Sequence, residues 1–364
     1  MAPTAPRAAA AKHWHSTGLV TAMYGQMDVA RRMQGEALAQ AGYGQRESAY
    51  RVTTGGPRWR LRHYGGPDAQ VPVLIVGAPI KRPYIWDLTP ARSAVNLCRA
   101  HGLGVYLLEW TPPGAGDAHA GLAFHARDAI GAAVAHVTQA HEGRRPVLMG
   151  HSLGGTLAAL YAALRPADLA GVVLLGAPLA FGEGSSGFRD SVTAMAPEDL
   201  SEIDVVPGAL LSHLAAVADP ASFVVARMAD AGSALADPAA AAMQARVERW
   251  ALDEMALPRA LVSELLTWLY REDRFARGWL TLDGAPVRPS GMATPCLVVT
   301  NRDDSVAGPS AVRPAIADMP RGMAEVLEHD GEPGVGLQHL AILIGRTAHA
   351  HTWPRILDWM AARA

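Results

Sequence analysis

Cysteine is scarce in this sequence: Cys98 and Cys296 are the only two in 364 residues, and each sits in or beside an apolar segment. Both read as reduced core thiols, which excludes the disulfide framework of a small secreted domain. A dominant charge is missing too. The formal net charge is -2 and no basic cluster is interleaved with aromatics, so no electrostatic field for nucleic acid is present. No uninterrupted apolar run reaches the length of a membrane span. The opening stretch MAPTAPRAAAAKHWHSTGL is alanine-rich without a sustained apolar core, a poor signal peptide. No internal repeat is visible. These absences leave a soluble cytoplasmic protein as the expectation. Half of the residues are apolar, enough for a substantial core, and the length suits one α/β enzyme carrying an insertion.

Strand and helix signals alternate from about residue 58. WRLRHYG (59–65) alternates like a strand, VPVLIVGAP (71–79) is a short apolar run, and GVYLLEW (104–110) is strand-like up to a Pro-Pro-Gly turn; PVLMG (146–150) and AGVVLLGAP (170–178) follow. Between them ARSAVNLCRAHG (91–102), GLAFHARDAIGAAVAHVTQAH (121–141) and LGGTLAALYAALRP (153–166) read as helices. Short apolar strands separated by helices predict a largely parallel sheet covered on both faces. From about 181 to 290 the pattern turns polar and helical, with no clear buried strand. The sheet resumes with TPCLVVTNRDD (294–304) and MAEVLEHD (323–330), and TWPRILDWMAARA closes the chain as an amphipathic helix. The expected organisation is a partly helical N-terminal extension over 1–57, an α/β core over 58–180 and 291–364, and a helical cap over 181–290.

Gly150-His151-Ser152-Leu153-Gly154 lies between a strand and a helix, the context that a nucleophile elbow requires. Flanking glycines allow a turn so tight that a Cβ would meet a neighbouring element. No Gly-Lys-Ser/Thr follows, which argues against a phosphate-binding loop. A serine needs a base held by a third group, and in such a fold the acid follows a later strand and the histidine comes last. CLVVTNRDDSVAG supplies Asp303 and Asp304 just beyond a strand, and position alone does not choose between them. GVGLQHLAILIG supplies His339 in the loop after the last strand. His329, at the end of EVLEHD, is its serious competitor. His349 and His351 lack nearby Cys or carboxylate partners for a metal site. One oxyanion donor is expected at the Leu153 N–H, at the start of a helix. The other belongs in GAPIKRPYIWDL, where Pro79 has no N–H and Ala78 or Ile80 remains.

With these residues in hand, the chain resembles the polyhydroxyalkanoate synthase family of α/β-hydrolase-fold proteins from about residue 60 to 360. PVLIVGAPIKRPYIWDLTPARSAVNLCRAHGLGVYLLEW is similar to that family's early box, GHSLGGTLAALYAA with LAGVVLLGAPLAF to its nucleophile box, WALDEMALPRALVSELLTWLYREDRF to its cap-to-core segment, and TWPRILDWM to its last helix. The resemblance implies an α/β-hydrolase fold with Asp303 as the orienting acid, His339 as the base and Ile80 as the second oxyanion donor. It also implies kinship with the smaller synthases that pair with a helper subunit. Tyr84 and Trp86 are expected to line the acyl site, and Asp87 to be structural. The synthases carry cysteine at the nucleophile position, where this chain has Ser152. A thiolate is both a good nucleophile and a good leaving group, whereas a serine ester is a poorer acyl donor, commonly resolved by water.

The leading expectation is therefore a serine esterase or thioesterase acting on acyl groups, 3-hydroxyacyl esters or oligomers among them, through Ser152, His339 and Asp303. The first alternative is acyl transfer from coenzyme A to a hydroxyl acceptor, polymer synthesis included, which needs a cap that excludes water. The second is a non-catalytic, granule-associated protein. No motif for a metal, nucleotide or flavin occurs, so no cofactor is expected. The expected partner is an acyl ester or acyl-CoA; a polyester granule and a second copy of the chain stay open.

Overall fold

The computed structural model describes residues 17–65, 71–234, 237–332 and 337–363. The alanine-rich opening stretch up to residue 16 lies outside them. Eight strands form the central sheet: β1 (Arg51–Gly56), β2 (Trp59–His63), β3 (Pro72–Val76), β4 (Gly104–Trp110), β5 (Val147–His151), β6 (Gly171–Leu175), β7 (Cys296–Asn301) and β8 (Ala324–His329). Their order across the sheet is β1-β2-β4-β3-β5-β6-β7-β8. β1 pairs with β2, and β2 with β4, antiparallel; from β4 onward every pair is parallel.

The parallel strands β3 to β7 are buried on both faces, so their residues divide by period two between two cores, whereas β8 at the sheet edge is partly exposed. Leu74 and Val76 of β3 join Leu122, Ile130 and Leu157 on one face. Val73 and Ile75 join Val95, Trp353 and Ile356 on the other. The helices that cover these faces are α2 (Ala94–Ala100), α3 (Ile130–Ala140), α4 (Leu153–Leu164) and, near the C-terminus, Trp353–Ala361. Because β3, β5, β6 and β7 pair in parallel, the loops that follow them lie side by side at one edge of the sheet.

Two expectations need correction. The core does not begin at residue 58: Arg51–Gly56 is the first strand of the sheet. It is an edge strand with polar, mostly exposed side chains, so no apolar alternation marked it. Within 181–290, two short two-stranded sheets accompany the helices: Val205–Val206 with Leu257–Pro258, and Leu280–Leu282 with Ala285–Val287. Strands of two or three residues are too short to show a period. The second was still legible from its Asp283-Gly284 turn, where both residues have positive φ (46° and 81°), as a two-residue hairpin demands. Among the described residues, 181–290 adds no strand to the central sheet.

The N-terminal helix α1 (Thr17–Leu38) packs against this segment. Asp28 accepts the Ala209 N–H at the start of the helix Gly208–Ala218 (2.7 Å). Arg31 grips the buried Glu254 through Nε and Nη2 (3.0 and 2.6 Å), and Lys81 Nζ reaches the same carboxylate at 3.1 Å. Burial opposes ionisation of Glu254, but Lys81, Arg31 and the Ser212 hydroxyl outweigh it and draw the carboxyl down to about 2. The folded value lies below the ordinary 4.5, so the stabilisation is present above that value and is lost as pH falls through the folded one. The melting temperature should accordingly fall between pH 4.5 and 2, and a Glu254→Gln protein should melt lower at neutral pH with a flatter profile across that window. Equal melting of the two proteins at pH 7 would refute the role of this cluster.

Candidate active site

Ser152 sits between the last residue of β5 and the first of α4 with φ 53° and ψ −133°. A non-glycine residue there is strained by about 1–3 kcal/mol. The surroundings hold it. Its N–H bonds the Leu175 carbonyl (3.1 Å) and its carbonyl accepts the Thr156 N–H (3.0 Å). A Cβ on Gly150 would strike the Gly154–Gly155 backbone, one on Gly154 would strike the Val76 carbonyl, and one on Gly155 would strike Ala177. The glycines of GHSLGG are thus required by close backbone approach.

His339 lies on a one-turn helix, Gln338–Leu340, after β8. Its Nδ1 meets Asp304 Oδ2 at 2.7 Å, and its Nε2 is buried without a hydrogen-bond partner among the described residues. His151, the residue before Ser152, donates from Nε2 to the His339 carbonyl (2.8 Å) and packs its ring 4.7 Å from the His339 ring. Burial, then the neighbouring His339, pulls His151 down to about 3, so it is a neutral strut. Asn301 Nδ2 ties the loop through the Gln338 carbonyl (2.9 Å). The competitor His329 instead meets Thr352 Oγ1 at 3.0 Å.

The aspartate that reaches His339 is Asp304, whereas the resemblance implied Asp303 as the orienting acid. After β7 the chain turns on Asn301: its carbonyl accepts the Asp304 N–H (3.2 Å) and its side chain accepts the Asp303 N–H (3.1 Å). This turn leaves Asp303 exposed, over Gly331, and sends Asp304 inward to 5% exposure. Asp304 Oδ1 accepts the N–H groups of Val306 and Ala307 (2.8 and 3.1 Å). Burial alone would raise its pKa, but His339 and those two amides more than compensate and hold it below the ordinary aspartate range. Gly176, at φ 48° beyond β6, leaves room for this carboxylate and for His151.

Tyr84 and Trp86 do not line a pocket. Both are about 2% exposed and pack in the core beside Ile75 and Val95. Tyr84 OH accepts a hydrogen bond from Arg249 (2.7 Å). An apolar face between a parallel sheet and a helix claims aromatics before an active site can. Asp87, read as structural, accepts from Ser48 N and Ser93 Oγ (2.5 Å each). Leu153 opens α4, so its N–H has no partner within the helix. Ala78 and Ile80 both stand half-buried in the loop after β3. Their amides make no hydrogen bond among the described residues. Both cysteines are fully buried, and burial pushes each thiol up to about 12, far from a nucleophile's range. Among the described residues no group of three His, Cys, Asp or Glu side chains could hold a metal ion, and no single helix is long and apolar enough to cross a membrane.

The site therefore combines a strained serine, a histidine tied to a buried carboxylate, and unpaired amides at the same sheet edge. The chain is 28% identical over 314 residues to the poly(3-hydroxyalkanoate) polymerase subunit PhaC of Haloferax mediterranei, a match covering 84% of this chain and 62% of that protein, so it spans about three fifths of that relative's length. It is 25% identical over 307 residues to the subunit of the same name from Allochromatium vinosum, covering 83% of this chain and 84% of the relative. Among solved structures, the monoacylglycerol lipase of Paleococcus ferrophilus superposes with a TM-score of 0.54 at 15% identity over 84% of this chain and 99% of its own, a likeness of fold. The sequence model of the alpha/beta hydrolase fold matches residues 92–334, well over half of the chain, and the strand order and the elbow at Ser152 agree with it: the protein belongs to the α/β-hydrolase-fold family.

Proposed function

We propose that the protein is an acyl-transfer enzyme that moves 3-hydroxyacyl groups from a thioester onto a hydroxyl acceptor through an acyl-Ser152 intermediate. The observation that carries this reading is His339, with Nδ1 on the buried Asp304 and a buried Nε2 free to take a proton. The similarity to poly(3-hydroxyalkanoate) polymerases along most of the chain supports the acyl class.

Ser152 Oγ attacks the thioester carbonyl carbon as His339 Nε2 takes its proton, and Asp304 stabilises the imidazolium. The oxyanion falls to the Leu153 N–H and a second amide of the loop after β3. The carbon–sulfur bond breaks, and the leaving thiol carries off the proton from His339. An acceptor hydroxyl then attacks the Ser152 ester, giving its proton to His339, and Ser152 Oγ recovers that proton as the product ester departs. A base atom shielded from solvent suits an acceptor other than water.

Hydrolysis, the expectation drawn from serine alone, stands second. Serine itself favours it, since an oxygen ester is a weaker acyl donor than a thioester. Product analysis separates the two. Purified protein given 3-hydroxybutyryl-coenzyme A should yield ester-linked 3-hydroxybutyrate oligomers by mass spectrometry, and a Ser152→Ala control should yield none. Free 3-hydroxybutyrate as the sole Ser152-dependent product would transfer the assignment to a thioesterase. Neither product, with no acyl mass on Ser152, would overturn both.

A further inference from the structure

We propose that Trp110 is a positioning residue for the oxyanion site, fixing the Gly77–Ala78 peptide so that the Ala78 N–H is the second donor. The inference rests on the acyl-Ser152 reading above and deepens it.

Trp110 is the last residue of β4 and only 3% exposed. Its indole Nε1–H donates to the Gly77 carbonyl at 2.7 Å in a fully buried hydrogen bond. Gly77 and Ala78 share one planar trans peptide, so the Gly77 C=O and the Ala78 N–H point in opposite directions. The sheet supplies the rest. β3 lies between β4 and β5. A Gly77 carbonyl turned toward β4 therefore turns the Ala78 N–H toward β5, whose end carries Ser152. The Ala78 nitrogen does lie on that side, 3.0 Å from where a Cβ of Gly154 would stand.

Ile80 lacks such a clamp. Its own carbonyl accepts the Met255 N–H (3.0 Å), but its N–H belongs to the preceding peptide, with Pro79. The peptide held by a buried side chain is the one that ends in Ala78. Indole suits this task because its N–H is a donor only and carries no charge, so it cannot compete for the oxyanion's position or for a substrate proton. Preorganised amides matter because they need no reorientation when charge develops.

The test replaces Trp110 with phenylalanine and, to preserve shape, with benzothienylalanine, in which sulfur takes the place of the indole N–H. Steady-state kinetics with 3-hydroxybutyryl-coenzyme A and the melting temperature are measured for each. We expect kcat to fall about tenfold or more with KM within about twofold, because the lost interaction acts on the transition state. Ala78→Pro, which deletes the donor itself, should cost about 10²-fold to 10³-fold in kcat. In that background Trp110→Phe should add less than about twofold, as coupled residues do. Wild-type kcat in the benzothienylalanine protein would overturn the inference, as would a fully active Ala78→Pro protein. A fluorophosphonate probe keeps the underlying reading separate. If wild-type Ser152 neither reacts with it nor turns over the thioester, the acyl-enzyme reading fails and takes this inference with it. If wild type reacts and turns over and the Trp110 variants match it, only the role of Trp110 fails.

Discussion

Ser152→Ala should lower kcat by about 10⁴-fold to 10⁶-fold, the largest effect of any single substitution in this protein. No other group can take over. The two thiols are buried and held protonated, and the elbow presents a single side chain between β5 and α4. The amides of Leu153 and the loop after β3 would remain, so some rate above the uncatalysed reaction should survive. Folding should survive as well, because alanine keeps the same backbone strain and removes only a hydroxyl that is not hydrogen-bonded among the described residues. Rates with 3-hydroxybutyryl-coenzyme A, read beside far-ultraviolet circular dichroism, check both halves. A folded Ser152→Ala protein with activity within tenfold of wild type would remove Ser152 from the mechanism.

Asp304→Asn should cost about 10⁴-fold in kcat, while Asp303→Asn should change it by less than about twofold. The two residues are adjacent and chemically identical, so the contrast isolates geometry. Asp304 Oδ2 meets His339 Nδ1 at 2.7 Å, whereas Asp303 is exposed over Gly331. An amide at 304 can present its N–H to the ring, which favours the tautomer with Nε2 protonated and disables the base. The pH dependence follows from the same contact. Asp304 is held below the ordinary aspartate range, so it remains a carboxylate at pH values where a free aspartate begins to protonate. Its contribution to stability is present above the unfolded value and is lost as pH falls through the lower folded one. Wild type should therefore lose more stability on acidification than Asp304→Asn. Equal activity of the two asparagine variants would refute the assignment of Asp304.

Much of the site was legible without coordinates. Gly150, Ser152 and Gly154 fall between an apolar run and a helical pattern, the context of a strand–turn–helix elbow, and His339 follows the last strand in the expected chain order. The strands read at 104–110 and 146–150 were legible from their short apolar runs, VYLL and VLM. Less legible was anything whose local pattern was ambiguous. Arg51–Gly56 is a true strand, yet its polar edge position gave no period. Tyr84 and Trp86 follow a strand that leads to the site, but the core behind α2 claimed them. The Asp283-Gly284 hairpin carries a turn signal of only two residues inside an otherwise helical segment.

The residues by themselves determined the order of elements and singled out Ser152 and His339 as candidates, because apolar period and glycine placement are coded within a few positions. Only the tertiary structure decided which aspartate faces His339, thirty-five positions away, and which loop peptide Trp110 grips. Both depend on side-chain and peptide direction beyond the end of a strand. There the backbone answers to turn hydrogen bonds, such as those on Asn301, and to whatever the neighbouring strand places alongside.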